Sequence, residues 1–143
     1  MTHEYVIGLG GIIAAEPVGG EPATAIAWAA DRVLAVGPDE AVSAISRGDS
    51  IFLDLAGCTV TPLPEDPARA VRVLQAAGVG APGVATLIET LAGSGLLPAG
   101  GQLEPGSPAD LACWAGNPIR LLATVVGGAF TEHDEHHGPF YPA

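Results

Sequence analysis

The densest polar grouping in the chain is His133-Asp134-Glu135-His136-His137. Imidazole and carboxylate are ligand types for zinc or nickel, and His133 with His136 or His137 would share one helical face. Gly138-Pro139 follows at once, and the surrounding residues offer no outer shell of partners to orient a ligand. Residues 132–143 therefore read as a mobile, solvated tail, with His133, His136 and His137 as candidate zinc ligands. Glu65 and Asp66 are neighbours in a proline-rich stretch, too close to flank a scissile bond as separate acid and base. Asp66 ahead of Pro67 is better used as a helix cap. Gly93-Ser94-Gly95 lacks the Gly-x-Ser-x-Gly spacing of a nucleophile elbow and reads as a helix end. Gly8-Leu9-Gly10-Gly11-Ile12-Ile13 has part of a dinucleotide-binding fingerprint. Its third glycine position holds Ile13, however, and a Pro/Gly loop follows where a phosphate-binding helix would have to begin. It reads as a strand that contains glycines. Cys58 and Cys113 lack C-x-x-C spacing and sit in apolar surroundings. They read as buried free thiols in a reducing compartment, with a disulfide as the alternative.

Composition narrows the field further. The chain has 143 residues, enough for one domain, and its net charge is −11. Five arginines and no lysines leave no positive field for nucleic acid, and anionic membranes are disfavoured for the same reason. Hydrophobic residues make up 48% and aromatics 5%, so the core has to be built from Ala, Val, Leu and Ile. No basic region precedes the apolar run from Tyr5 to Ala15, which reads as a strand rather than a signal peptide. No stretch reaches the length of a spanning helix. The expectation is a soluble, cytoplasmic protein.

The elements that must position these residues are mostly strands. Thr24–Trp28 and Arg32–Val36 read as a hairpin, with Asp31 the residue expected to take a left-handed turn conformation. Asp39-Glu40 opens a short helix over 41–46. Ile51, Leu53 and Leu55 share one face of the next strand, and Ala56-Gly57 marks a bend before Cys58–Thr61. Pro62, Pro64 and Pro67 end the β structure. A helix over 66–77 carries a stripe of Ala70, Val71, Val73, Leu74 and Ala77, and a second over 82–92 carries Val84, Leu87, Ile88 and Leu91. After a Gly/Pro-rich linker over 96–108, strands return at 109–115 and 121–126. Gly127-Gly128 then turns the chain into Ala129–Thr131.

Read together, the two β-rich ends resemble the amidohydrolase superfamily of metal-dependent hydrolases, in its "amidohydrolase 3" style. Ala23–Gly37, ending Ala35-Val36-Gly37, is similar to that family's opening hairpin, and Ile51–Pro62 to its following strand. Gly101-Gln102-Leu103-Glu104-Pro105-Gly106-Ser107-Pro108-Ala109-Asp110-Leu111-Ala112 resembles the family's Pro-Gly-x-x-Ala-Asp-Leu segment. Thr124–Phe130 is similar to its closing Gly-Gly hairpin. The resemblance implies a mainly β fold, a small composite β-sandwich made from N- and C-terminal segments. Its strands lie at about 4–61 and 102–131, and the two helices (about 66–77 and 82–92, within an insert of about 66–94) replace the inserted (β/α)8 barrel. A complete barrel needs roughly 250 residues, so the whole chain, 1–143, is one domain without it.

The resemblance also implies the loss of the family's metal site. After the strand-ending proline, members run on to Asp-x-His-x-His, whose histidines bind the catalytic metal. Here Pro62-Leu63-Pro64-Glu65-Asp66-Pro67-Ala68-Arg69-Ala70 puts Ala68 and Ala70 at those positions. A methyl group coordinates nothing, and no lysine is present to be carbamylated. The expectation is therefore a barrel-less, non-catalytic accessory or interaction module without cofactor, and a homodimer wherever the helices leave apolar surface uncovered. Two alternatives stay open. One is a metal-dependent hydrolase of non-peptide C–N bonds. The other is a small-molecule binding protein with a pocket near Trp28 or Trp114, residues that otherwise read as core.

Overall fold

The computed structural model describes residues 5–14, 23–46, 50–55, 57–80, 84–97, 103–116 and 119–132. The described residues form nine strands and three helices. These are β1 (Tyr5–Leu9), β2 (Ile12–Ile13), β3 (Ala25–Ala29), β4 (Arg32–Gly37), α1 (Asp39–Ser43), β5 (Ile51–Asp54), β6 (Thr59–Pro62), α2 (Pro67–Ala76), α3 (Val84–Gly93), β7 (Leu111–Ala115), β8 (Arg120–Val126) and β9 (Ala129–Glu132). The first sheet runs β4-β3-β1-β5 and the second β2-β6-β7-β8-β9. The mainly β sandwich expected from the sequence is present, and it is composite: β6, from before the helical pair, is hydrogen-bonded to β7, from after it.

The N-terminal run is two strands in different sheets, not one strand. β1 lies parallel to β5 in the first sheet, and β2 lies parallel to β6 in the second. The two parallel pairs therefore cross from sheet to sheet together. At the corner, the Leu55 N–H donates to the Leu9 carbonyl at 2.9 Å, Gly57 to Gly10 at 2.7 Å and Ile12 to Cys58 at 2.9 Å. Gly10 and Gly57 take the bend at φ +73° and +76°, a region costly for a residue with a Cβ. Gly11 passes so near Leu55 that an added Cβ would stand 2.7 Å from its side chain. The glycines of the dinucleotide-like motif serve this close crossing.

Strand alternation sorts side chains into three apolar layers. Ile26 and Trp28 of β3 face the space between the sheets, where they meet Val33, Leu53, Leu55, Val60, Leu111, Cys113 and Val125. Ala25 and Ala27, on the opposite face of β3, pack with Ile7 and Val42 of α1. Their small side chains let the short helix lie close to the sheet. Ala112 and Trp114 of β7 face outward from the second sheet and are covered by Ala70 and Leu74 of α2 and Leu87 and Leu91 of α3. Leu34 and Leu122 are extra residues where the hairpin registers shift, so each bulge changes which neighbours face the core.

The helices follow their sequence signals. The Asp66 carboxylate accepts from the Arg69 N–H at 3.1 Å and Pro67 occupies the first turn, as expected. Each long helix ends in a Schellman motif. Val79 N–H donates to Leu74 O with Gly78 at φ +71°, and Leu96 N–H to Leu91 O with Gly95 at φ +73°. The motif tucks Val79 and Leu96 into the apolar layer. Ala77 departs from the expected stripe; it is exposed, because the helix has already ended at its C-cap. The expected start of the second helix at Ala81-Pro82 lies outside the described residues.

Two turns depart from, or add to, the sequence reading. In the β3–β4 hairpin it is Ala30, not Asp31, that takes positive φ, at 51°. Of the two turn residues only the first has positive φ. The β8–β9 turn, Gly127-Gly128, has φ +56° and +87°, as a type I′ turn requires. The two turns touch. Trp28 Nε1 donates to the Gly128 carbonyl at 3.0 Å, and the Ala109 N–H donates to Asp31 O at 2.7 Å. Segment 103–110 is pinned beside them rather than loose. Gly106 N–H donates to Val33 O and Val33 N–H to Ser107 O, both at 2.9 Å.

A methyl group on Gly128 would overlap the Ala30 carbonyl, with the carbonyl carbon 2.8 Å away, whereas one on Gly127 meets nothing. Gly128→Ala is expected to lower unfolding free energy by about 3 kcal/mol or more, from strain plus overpacking. Gly127→Ala should cost only about 1 kcal/mol, for its left-handed backbone. Urea unfolding of the two variants against the parent checks the ordering.

Candidate functional site

β6 ends at Pro62, and the chain runs through Leu63-Pro64-Glu65 to the Asp66 cap of α2. This link is held on both sides: the Leu63 N–H donates to Asp110 O and the Glu65 N–H to Leu96 O, each at 3.0 Å. Leu96 and Leu97 follow the α3 Schellman turn and are buried. Leu63, Glu65, Gly95, Leu96 and Leu97 together line an open depression of about 500 Å³ at the place where the helical insert leaves the sandwich. Chemically it is an apolar wall with one exposed carboxylate. Such a surface can hold an apolar group beside an ammonium or a hydrogen-bond donor. Glu65 is the one acid–base group among its lining residues.

The structure places the sequence-predicted residues as follows. Ala68 and Ala70 lie on the first turns of α2, Ala68 exposed and Ala70 buried against the second sheet's cover. They lie on opposite sides of a helix, not at the end of a strand. Trp114 is fully buried between the second sheet and the helices, and its Nε1 donates to Thr61 Oγ1 at 2.9 Å. Trp28 is buried between the sheets, with its Nε1 on Gly128. Neither tryptophan lines the depression. Both indoles have their N–H satisfied internally, as buried tryptophans do. Ser94 is the C-cap turn of α3, its N–H on Thr90 O at 3.1 Å. His133, His136 and His137 lie outside the described residues. Among the described residues no group of three or more His, Cys, Asp or Glu side chains could hold a metal ion, and no helix is long and apolar enough to cross a membrane.

Two features escaped the sequence reading. Thr59 shares a face of β6 with Thr61, yet its buried Oγ1 is without a hydrogen-bond partner, a placement worth about 1–3 kcal/mol of lost solvation. The second is a meeting of the two cysteines. Cys58 and Cys113 are both buried in the layer between the sheets, on a diagonal of the β6–β7 pairing. The neighbouring Cys58 side chain, then burial, then charge repulsion from Cys58 push the Cys113 thiol well above its usual range. Their separation of 55 positions carried no signal of contact, because only the pairing of β6 with β7 brings them together.

The raised thiol has a consequence for stability. Above the ordinary thiol pKa of 9.0 the unfolded chain releases the Cys113 proton while the folded chain retains it. The unfolded state then binds fewer protons, and stability falls as pH rises. The urea midpoint is expected to drop progressively above pH 9, and Cys113→Ala should flatten that part of the profile while lowering stability at neutral pH. Urea titrations between pH 7 and 10 check it. Comparison with family models, with curated proteins and with solved structures finds no match to this chain.

Proposed function

We propose that this chain is a barrel-less relative of the amidohydrolases, with a sandwich that acts as an accessory or interaction module and is not itself catalytic. The observation that supports this reading best is where the insert departs and returns. Pro62 lies opposite Leu111 in the β6–β7 ladder, so segment 63–110 begins and ends at one place on the second sheet. A composite sandwich can exchange one insert for another at such a point without disturbing its strands. Here the insert is a helical pair that covers Ala112, Trp114 and Ile119 on the sheet's outer face. The positions where the resembled family would place its first metal ligands are Ala68 and Ala70, which serve the helix.

A reducing, cytoplasmic setting belongs to the same proposal and fits the two free thiols. So does homodimerisation, though its driving force is limited. Among the described residues Val126, 58% exposed, is the one exposed large hydrophobic side chain. A homodimer would therefore form along sheet edges such as β9, not over the face that the helices cover.

Purified protein supplied with zinc is expected to release no product from amide or cyclic-amide substrates above the buffer rate. It should also contain less than one equivalent of metal by elemental analysis. Chelator-sensitive hydrolysis would replace this reading with that of a metal-dependent hydrolase. The tagged chain is expected to co-purify with a barrel-bearing amidohydrolase wherever one is encoded beside it. Sedimentation at tens of micromolar tests the dimer, and a species of monomer mass alone removes that part of the proposal.

A further inference from the structure

Cys58 and Cys113 belong to the two halves of the composite sandwich. In the β6–β7 ladder Val60 is the partner of Cys113, so Cys58, two residues earlier on the same face, lies on the diagonal of that pair. Both side chains are in the same apolar layer between the sheets, at 2% and 3% exposure. Diagonal neighbours stand at or just beyond disulfide reach unless the backbone moves. The Cys58 backbone is held, its N–H donating to Leu55 O and its carbonyl accepting from the Ile12 N–H, both at 2.9 Å, so closing the gap needs this corner to open.

We infer that Cys58 and Cys113 form one redox-responsive dithiol, which an oxidant converts to an intrachain disulfide that ties β6 to β7 across the helical insert. Two S–H bonds break and one S–S bond forms. The two electrons and two protons pass to the oxidant, for example the N=N bond of diamide, which becomes a hydrazine. Burial of both thiols keeps oxidant out, and the Cys113 thiolate is scarce, so the folded protein reacts slowly. Local opening, or folding itself, exposes the pair to oxidant. The device thus records oxidant met while the chain is partly open, and the cross-link then holds the two halves together. It stands independently of the amidohydrolase reading.

The test uses the wild-type chain. Reduced protein is treated with diamide in buffer and in urea below the unfolding midpoint. It is then quenched with acid and labelled with maleimide-polyethylene glycol under denaturing conditions. The expected result is loss of both labelling sites, faster in urea than in buffer. A mass lower by two hydrogens, monomer migration on a non-reducing gel and a Cys58–Cys113 cross-linked peptide should accompany it. The oxidised monomer should melt about 5–10 °C above the reduced one, a gain that dithiothreitol removes. Two thiols that still label after oxidation in urea would overturn the inference. So would links found only between chains, or an oxidised monomer that melts below the reduced protein.

Discussion

The antiparallel ladder between β6 and β7 joins residues roughly fifty positions apart, and almost everything else in the molecule is arranged around it. Without it the second sheet would fall apart into the β2–β6 pair and the β7-β8-β9 meander. With it, Thr61 meets the indole of Trp114, the two cysteines become diagonal neighbours, and the ends of the helical insert are drawn to one point. Closing so long a loop has an entropic cost that local hairpins avoid. The return comes from apolar burial on both faces of the joined strands. Val60, Leu111 and Cys113 face the other sheet, while Ala112 and Trp114 face the helices.

A second constraint complements the ladder at the far edge of the sandwich. The β3–β4 turn, segment 103–110 and the β8–β9 turn are joined by backbone hydrogen bonds and by the Trp28 indole. Gly128 permits this because a residue with a side chain could not approach the Ala30 carbonyl so nearly. The same stretch, Pro105-Gly106-Ser107-Pro108-Ala109-Asp110, carries part of the amidohydrolase resemblance. Its role here is physical. It carries the chain from the helical insert back into β7 while clamping the first sheet to the second. The Asp110 carboxylate accepts from the Gly127 N–H at 2.8 Å, so the acid of this stretch is a turn partner.

Local signals in the sequence were read correctly where one segment supplied all the physics. Asp66-Pro67 before an apolar stripe gave a capped helix, Gly127-Gly128 gave a type I′ turn, and the alternation of Ile51, Leu53 and Leu55 put those residues inward. Readings failed where a distant partner decided the outcome. The N-terminal run split between two sheets because β5 and β6 are its neighbours, and its own composition says nothing of that. Ala30 took the left-handed turn position ahead of Asp31. Stretch 96–108 reads as a Gly/Pro-rich linker, and its composition does not signal that Leu96, Leu97 and Leu103 are buried.

By itself the sequence determined the class of the protein. Short β-branched and alanine-rich runs between Gly/Pro turns require a mainly β domain. Two amphipathic helices in the middle need a sheet to cover, and alanines at 68 and 70 cannot hold a metal. The tertiary structure alone decided which strands are neighbours, that a shallow Leu-lined depression with Glu65 lies where the insert leaves the sheet, and that two distant thiols meet. The physical reason is the range of the interactions. Helix caps, turns and strand alternation are set within a few residues. Pairing between strands some fifty residues apart is chosen by the burial that the whole fold achieves, and no single segment encodes it.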